Sequence, residues 1–252
     1  IARIDADDLI RKNRFVKQVE FLENNLEYDI VGTNALRFKN RSFFIKPFII
    51  EYDDTLLKIS MIFNSPFIHP SVMIRKKFIV QNNITYNIKY DECEDYELWY
   101  NMLEKTKFKN LKYYGIYYRV HTQSASFKKR DKLNNFFKIT NKQYLIKLNI
   151  NLSNYEFGIL RKISLLDINK KDNFDNLNFH YTRILKKIEN ALSNKYDKRL
   201  INNFLRKKYY RFCIRSIQTA FFYPSKLKNN YFKINTIFVL FIYILYILKI
   251  KI

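Results

Sequence analysis

The chain has 252 residues, 48% of them apolar, enough for one large domain or two small ones with a real core, and this excludes a disordered polypeptide. Its three glycines (Gly32, Gly115, Gly158) stand far apart, which excludes a P-loop or a dinucleotide fingerprint within this stretch, and Cys93 and Cys213 are too few and too distant for a zinc site or a disulfide framework. Formal net charge is +23 but uneven: residues 1–127 carry 19 Lys/Arg against 16 Asp/Glu, and residues 128–252 carry 27 against 7, so the second half calls for an anionic partner, a membrane surface or a nucleic acid.

In chain order, Ile1-Ala2-Arg3-Ile4 reads as a short strand entering the acidic run Asp5-Ala6-Asp7-Asp8; it resembles no targeting peptide, and a chain that opens inside a strand is expected to have lost an upstream part. Asp8 then predicts a cap for a helix through Asn25, with Ile10, Val16, Val19, Leu22 and Leu26 near helical spacing. Asp29–Phe38 reads as a strand, and Tyr52-Asp53-Asp54-Thr55 opens a helix to about Phe63. Pro66 and Pro70 bracket a loop before an apolar strand, Ser71–Ile74. Glu94–Lys105 is helical and Phe108–Val120 is a Tyr-rich strand, so the first half predicts a mixed α/β layer architecture.

From residue 128 to 230, Leu, Ile, Phe and Tyr recur at helical spacing among many Lys and Arg, which predicts a basic helical region. Residues 231–252 form an apolar tail. Its uninterrupted core, Ile237–Leu248, has 12 residues, short of the roughly 20 needed to span a bilayer, so an interfacial helix or a marginal span held by Tyr and Lys is expected. A buried element of the soluble core is the other reading.

Three constellations carry chemistry. The first is Asp5-Ala6-Asp7-Asp8: carboxylates this close repel unless a cation lies among them, and Mg²⁺ or Mn²⁺ is held by one or two carboxylates plus substrate phosphates. A helix N-terminus is the plainer explanation. The second is Glu94-Asp95-Tyr96-Glu97-Leu98-Trp99, preceded by Asp91 and Glu92, where neighbouring acids push at least one pKa up, as suits a proton acceptor; helix capping competes. The third is Tyr117-Tyr118-Arg119-Val120-His121 with Ser124 and Ser126, where His121 suits a metal shell and Arg119 a diphosphate, or else His121 is a plain surface histidine.

The order of these blocks resembles the middle of the family-2 glycosyltransferases. It includes Arg14-Phe15, Gln18-Val19, Phe21-Leu22-Glu23 and Asn25 after the first acids, then Ile30-Val31-Gly32-Thr33, then Phe67-Ile68-His69-Pro70-Ser71-Val72-Met73-Ile74-Arg75. The resemblance covers residues 1–127. It implies the C-terminal part of a Rossmann-like GT-A catalytic domain, lacking its nucleotide-binding half, followed by the helical region. It further implies transfer from a nucleotide-diphosphate sugar, a UDP-sugar as first expectation, with inversion. Asp5 and Asp7, with Asp8, would bind Mg²⁺ or Mn²⁺ against the donor diphosphate, joined by His121; Asp5 and Arg119 would contact the donor, and Asp95 would be the catalytic base with Glu94 beside it. Trp99 and Tyr96 are candidates for sugar stacking, with helix packing the preferred role of Trp99, and His69 is a candidate for the acceptor side or for loop structure. The processive-synthase signature is absent, since Trp99 is the sole tryptophan.

The expected function is therefore transfer of one sugar to a glycan or lipid-linked acceptor in bacterial surface polysaccharide or lipopolysaccharide synthesis. The expected location is the inner face of the plasma membrane, with the basic half and apolar tail on anionic lipid and no nucleic acid involved. Two other readings stay open: a non-enzymatic basic nucleic-acid-binding protein, which has no recognised binding motif here, and an inactive glycan-binding relative.

Overall fold

A computed structural model describes residues 1–39, 42–90, 93–121, 130–169 and 171–221. They fall into two compact units, Ile1–Lys147 and Leu148–Ile252.

The first unit is organised by a strand without a polar face. Strand β1 is Leu9–Ile10 and β2 is Tyr28–Lys39, whose residues 30–35 are all buried, as a strand covered on both sides requires. Strands β3 (Ser42–Phe48), β4 (Met73–Ile74) and β5 (Lys107–Arg119) complete one mixed sheet in the order β1-β5-β2-β3, with β4 also paired to β2. The β2–β5 pair is parallel and the others are antiparallel. Ile1–Arg3 extends the β4 edge: Ala2 bridges Met73, and Arg3 N–H donates to Val72 O at 3.0 Å.

Along β5 the register against β2 jumps. Thr33 faces Leu111, Asn34 faces Tyr114 and Ala35 faces Ile116, so Lys112, Tyr113 and Gly115 are looped out of the pairing. Such a bulge bends the strand and re-aims its end, here the segment leading to Arg119 and His121. Gly115 is needed where the bulge meets β2: a Cβ there would lie 2.3 Å from Thr33 Oγ1. Gly115→Ala is therefore expected to destabilise the protein by about 1–3 kcal/mol, read as a lower urea midpoint; an unchanged midpoint would refute this packing account.

Helix α1 (Arg14–Asn24) lays Leu22 against Val31 and Met73. Helix α2 (Asp54–Ser60) leads into the buried run Met61-Ile62-Phe63. Between a short 3₁₀ turn, His69–Ser71, and helix α4 (Glu94–Met102) lies α3 (Lys76–Gln81). Phe67 packs at 5.3 Å from Trp99 and 5.2 Å from Phe108 (ring centroids), and it reaches the sheet because Gly32 leaves room, a Cβ there falling 2.7 Å from the Phe67 ring. Helix α5 (Arg130–Lys147) belongs to the same unit. Its Asn141 side chain donates to Met61 O and Tyr96 Oη, both at 2.8 Å, while Phe137 stacks 3.9 Å from Tyr96.

The second unit is helical. Helix α6 (Asn154–Ser164) opens on a capping box, Ser153 and Glu156 bonding each other's backbone N–H. Helices α7 (Phe174–Leu192) and α8 (Lys198–Phe221) follow. Phe157, Leu160, Ile163, Ile184, Ile188, Leu192, Ile201 and Phe204 are buried, giving the amphipathic bundle the periodicity predicts. No helix among the described residues is long and apolar enough to cross a membrane. The apolar tail 231–252, and with it Ile237–Leu248, lies outside the described residues, as do Asp91, Glu92, Ser124 and Ser126.

The mixed α/β first unit and helical second unit agree with the predicted fold class. The differences are local. No helix starts at Asp8; α1 begins at Arg14, after Asn13 in the left-handed conformation (φ 66°). Asp8 Oδ1 accepts instead from the distant Arg119 N–H, a tertiary bond that removes it from capping. Strands β1 and β3 and helix α3 are too short or too irregular in pattern to predict.

Candidate active site

The first acids occupy a tight turn rather than a helix end. Asp8 N–H donates to Asp5 O at 3.1 Å, closing the turn between the extended start of the chain and β1. The end of β5 fastens it: Arg119 N–H donates to Asp8 Oδ1 and Arg119 Nε to Asp7 O, both at 2.8 Å. His121 Nε2 donates to Asp7 Oδ2 at 2.7 Å. Residues more than a hundred positions apart thus meet because β1 and β5 are antiparallel neighbours, and the bulge in β5 sets where they meet.

Beneath the turn lies a buried cation. Arg14 is fully buried, its Nε donating to Gln18 Oε1 at 3.0 Å and its guanidinium to Arg3 O at 2.8 Å and Val72 O at 3.3 Å. Gln18, also fully buried, donates to Val31 O and Ser71 O, both at 2.9 Å. Burial lowers the Arg14 pKa to about 10, against support from Asp8. Burial also raises Asp8 to about 6, with Asp5 and Asp7 adding repulsion and the Arg119 N–H opposing. Asp5 is raised by burial although Arg3 pairs with it at 3.0 Å.

Helix α4 supplies the second cluster at its first turn. Cys93 holds the N-cap position without a side-chain capping bond, while Asp95 Oδ1 accepts from Tyr96 N–H at 2.7 Å and Oδ2 faces Ser65 Oγ at 3.5 Å. Asp95 keeps some surface exposure, yet its carboxyl lies in dense protein, and that burial, reinforced by Glu94, raises its pKa to about 6. His69 Nε2 lies 3.0 Å from Tyr86 Oη, its other nitrogen 4.0 Å from Glu94. Burial lowers His69 to about 3, so at neutral pH the imidazole is uncharged and makes no ion pair with Glu94.

The two clusters share one electrostatic environment. The Tyr86 hydroxyl, raised chiefly by burial, feels Arg3, Asp95, Glu94 and Asp5 together, and Arg3 acts on Asp95, His69 and Asp5 alike. Arg3 and Tyr86 therefore lie within electrostatic range of both the acid turn and the α4 start. Sequence reading passes over Arg3, Arg14, Ser65 and Tyr86 as site residues. Only the Arg14–Gln18 spacing, one turn of helix apart, carries a signal that could have singled out a pair.

The donor atoms fit a partial share of a hard divalent cation's shell. Asp7 and His121 converge, and Asp8 Oδ2 is buried without a hydrogen-bond partner. A metal ligated by His121 Nε2 would have to replace its contact with Asp7, since a ring nitrogen must be unprotonated to ligate. Among the described residues no three His, Cys, Asp or Glu side chains form a metal cluster, so phosphate and water oxygens would have to supply the remainder. Sugar stacking by Tyr96 is corrected, and Trp99 takes its packing role: both are core residues, 1% and 0% exposed, with Tyr96 Oη donating to Met61 O at 2.5 Å.

No family model matches the chain. Among curated proteins it is 28% identical over 167 residues to the bifunctional glycosyltransferase pgtA of Dictyostelium discoideum, covering 52% of this chain and 21% of that protein. It is 31% identical over 134 residues to the provisionally named glycosyltransferase EpsE of Bacillus subtilis, covering 52% of this chain and 46% of that one. An uncharacterized glycosyltransferase of Methanocaldococcus jannaschii is 26% identical over 122 residues, 48% of this chain and 41% of its own length. The chain thus spans less than half the length of these relatives, and over about half of its own length they support glycosyl transfer as the general chemistry.

Proposed function

We propose that the first unit is the acceptor-side part of an inverting, nucleotide-sugar-dependent glycosyltransferase of the GT-A type, close to family 2. The observation that carries this reading is the raised, buried Asp95 carboxyl set in the same electrostatic environment as the acid turn. A base whose pKa lies just below neutrality is ionised at working pH yet still accepts a proton readily.

Asp95 takes the proton of the acceptor hydroxyl as that oxygen attacks the anomeric carbon of the donor. The bond from that carbon to the diphosphate oxygen breaks, and the configuration inverts. Ser65 and the Tyr96 N–H orient the Asp95 carboxylate. Neutral His69 and Tyr86 offer hydrogen bonds to acceptor hydroxyls without adding charge. Asp7 and His121, with Asp5 and Asp8 beside them, would hold Mg²⁺ or Mn²⁺, which when bound offsets charge on the departing diphosphate. Arg119 and Arg14 keep the acid turn in place. A UDP-sugar as donor, a glycan or lipid-linked acceptor, and a role in bacterial surface polysaccharide or lipopolysaccharide synthesis at the inner face of the plasma membrane complete the proposal, on the strength of the residue blocks quoted above and the basic second half.

The test uses the full chain and a panel of nucleoside-diphosphate sugars. Mn²⁺-stimulated donor hydrolysis that falls by about 10²-fold or more in Asp7→Asn, with unchanged folding by circular dichroism, is the expected result. Hydrolysis that ignores both metal and Asp7 would sink the proposal. For the membrane role, deletion of residues 231–252 is expected to move the protein from pelleted anionic vesicles to the supernatant; continued co-sedimentation would remove the tail from the account.

A further inference from the structure

The helical unit carries a cleft of about 440 Å³ between one face of α6 and the segment entering α7. Its floor is apolar, made by Ile159 and Leu177, which are 5% and 6% exposed. Its rim holds the exposed Tyr155, whose hydroxyl accepts from the Asn176 side chain at 2.7 Å, and the exposed Lys171. Lys162 also lines it, but its charge is matched by Asp172 at 2.7 Å.

Gly158 is the informative residue. It lies in the middle of α6, where glycine weakens a helix relative to almost any other residue. Packing does not call for it, because a Cβ at this position would meet nothing within 4 Å. Gly32 and Gly115, by contrast, are each pressed by a neighbouring side chain. What a side chain at 158 would fill is the cleft itself. Glycine here keeps open a space that close packing does not need.

We infer that this cleft is a saccharide-binding site of the helical unit, separate from the acid turn and Asp95. The lining suits that class: an apolar floor for the C–H face of a sugar ring, an exposed tyrosine ring at the edge, and amide and ammonium donors for hydroxyls. A volume in the range of small-ligand pockets accommodates one or two rings. The choice of a saccharide among polar ligands rests on the proposed glycosyl transfer; the existence of the cleft does not.

The experiment is saturation-transfer difference NMR and titration of the full chain with maltotriose, chitotriose and sialyllactose as probes. At least one probe is expected to bind, and Gly158→Leu, which fills the cleft, is expected to weaken it by about tenfold or more while leaving the melting temperature equal or higher. Tyr155→Ala should weaken the same probe. No binding by any of the three, or equal binding by Gly158→Leu and wild type, overturns the inference. Asp95→Asn should bind the probe as wild type does, so loss of donor hydrolysis with retained probe binding separates failure of the catalytic reading from failure of this one.

Discussion

Asp95→Asn is expected to lower kcat/KM for sugar transfer by about 10²–10⁴-fold, the usual cost of removing a positioned general base. Wild-type kcat/KM should fall as pH drops through about 6, where Asp95 takes up its proton. Glu94→Gln should move that acid limb to lower pH, because the Glu94 charge is one cause of the raised value. Stability should move the other way from activity. The folded-state pKa exceeds the ordinary carboxylate value, so the native protein binds the proton more tightly, and stability is lost as pH rises from about 4 to about 6. Above that window the ionised carboxylate costs the native state on the order of 1–2 kcal/mol, less than the full linkage value because Asp95 is partly exposed. Asp95→Asn at pH 7.5 should thus be inactive and melt at a higher temperature. A variant that keeps full activity removes Asp95 as base; one that melts lower removes the desolvation account.

Arg14→Ala carries the largest expected loss of stability, about 3–5 kcal/mol by urea unfolding. The guanidinium is fully buried and is the donor to Gln18 Oε1, Arg3 O and Val72 O. Deleting it strands Gln18 Oε1 and Arg3 O and removes a positive charge that interacts with Asp8. Arg14→Lys should recover only part of the loss, since a single ammonium cannot reproduce the planar fork. Because Arg3 O is one of the acceptors, the strand entering the acid turn should loosen, and metal-dependent donor hydrolysis should decline before global unfolding. An urea midpoint within error of wild type would show that the network is dispensable.

The central elements of the first unit were legible for local reasons. The uninterrupted buried run in β2 and the spacing of Leu98, Trp99 and Met102 in α4 are patterns a short window contains. Elements that depend on pairing were not legible. The two-residue strand Leu9–Ile10 exists only because a partner strand accepts it, whereas Met73–Ile74 lies within the predicted strand Ser71–Ile74. The Asp8 helix cap failed for the same reason: a short-range rule lost to a bond from Arg119, 111 residues away. Trp99 and Tyr96 look like sugar platforms by type, but their surroundings make them core.

By itself the sequence determined which groups were available and in what order: an acidic run, a second acidic run before an aromatic helix, a late Arg and His, and a basic half poor in carboxylates. Tertiary structure decided which of them meet. The antiparallel β1–β5 pair and the bulge at Lys112–Tyr113 bring His121 to Asp7, and the chain's opening segment on β4 carries Arg3 into the field shared by Asp5 and Asp95. Charge and hydrogen bonding act over a few ångströms, whereas sequence separation here exceeds a hundred residues, so only the register of the sheet converts those residue types into one site.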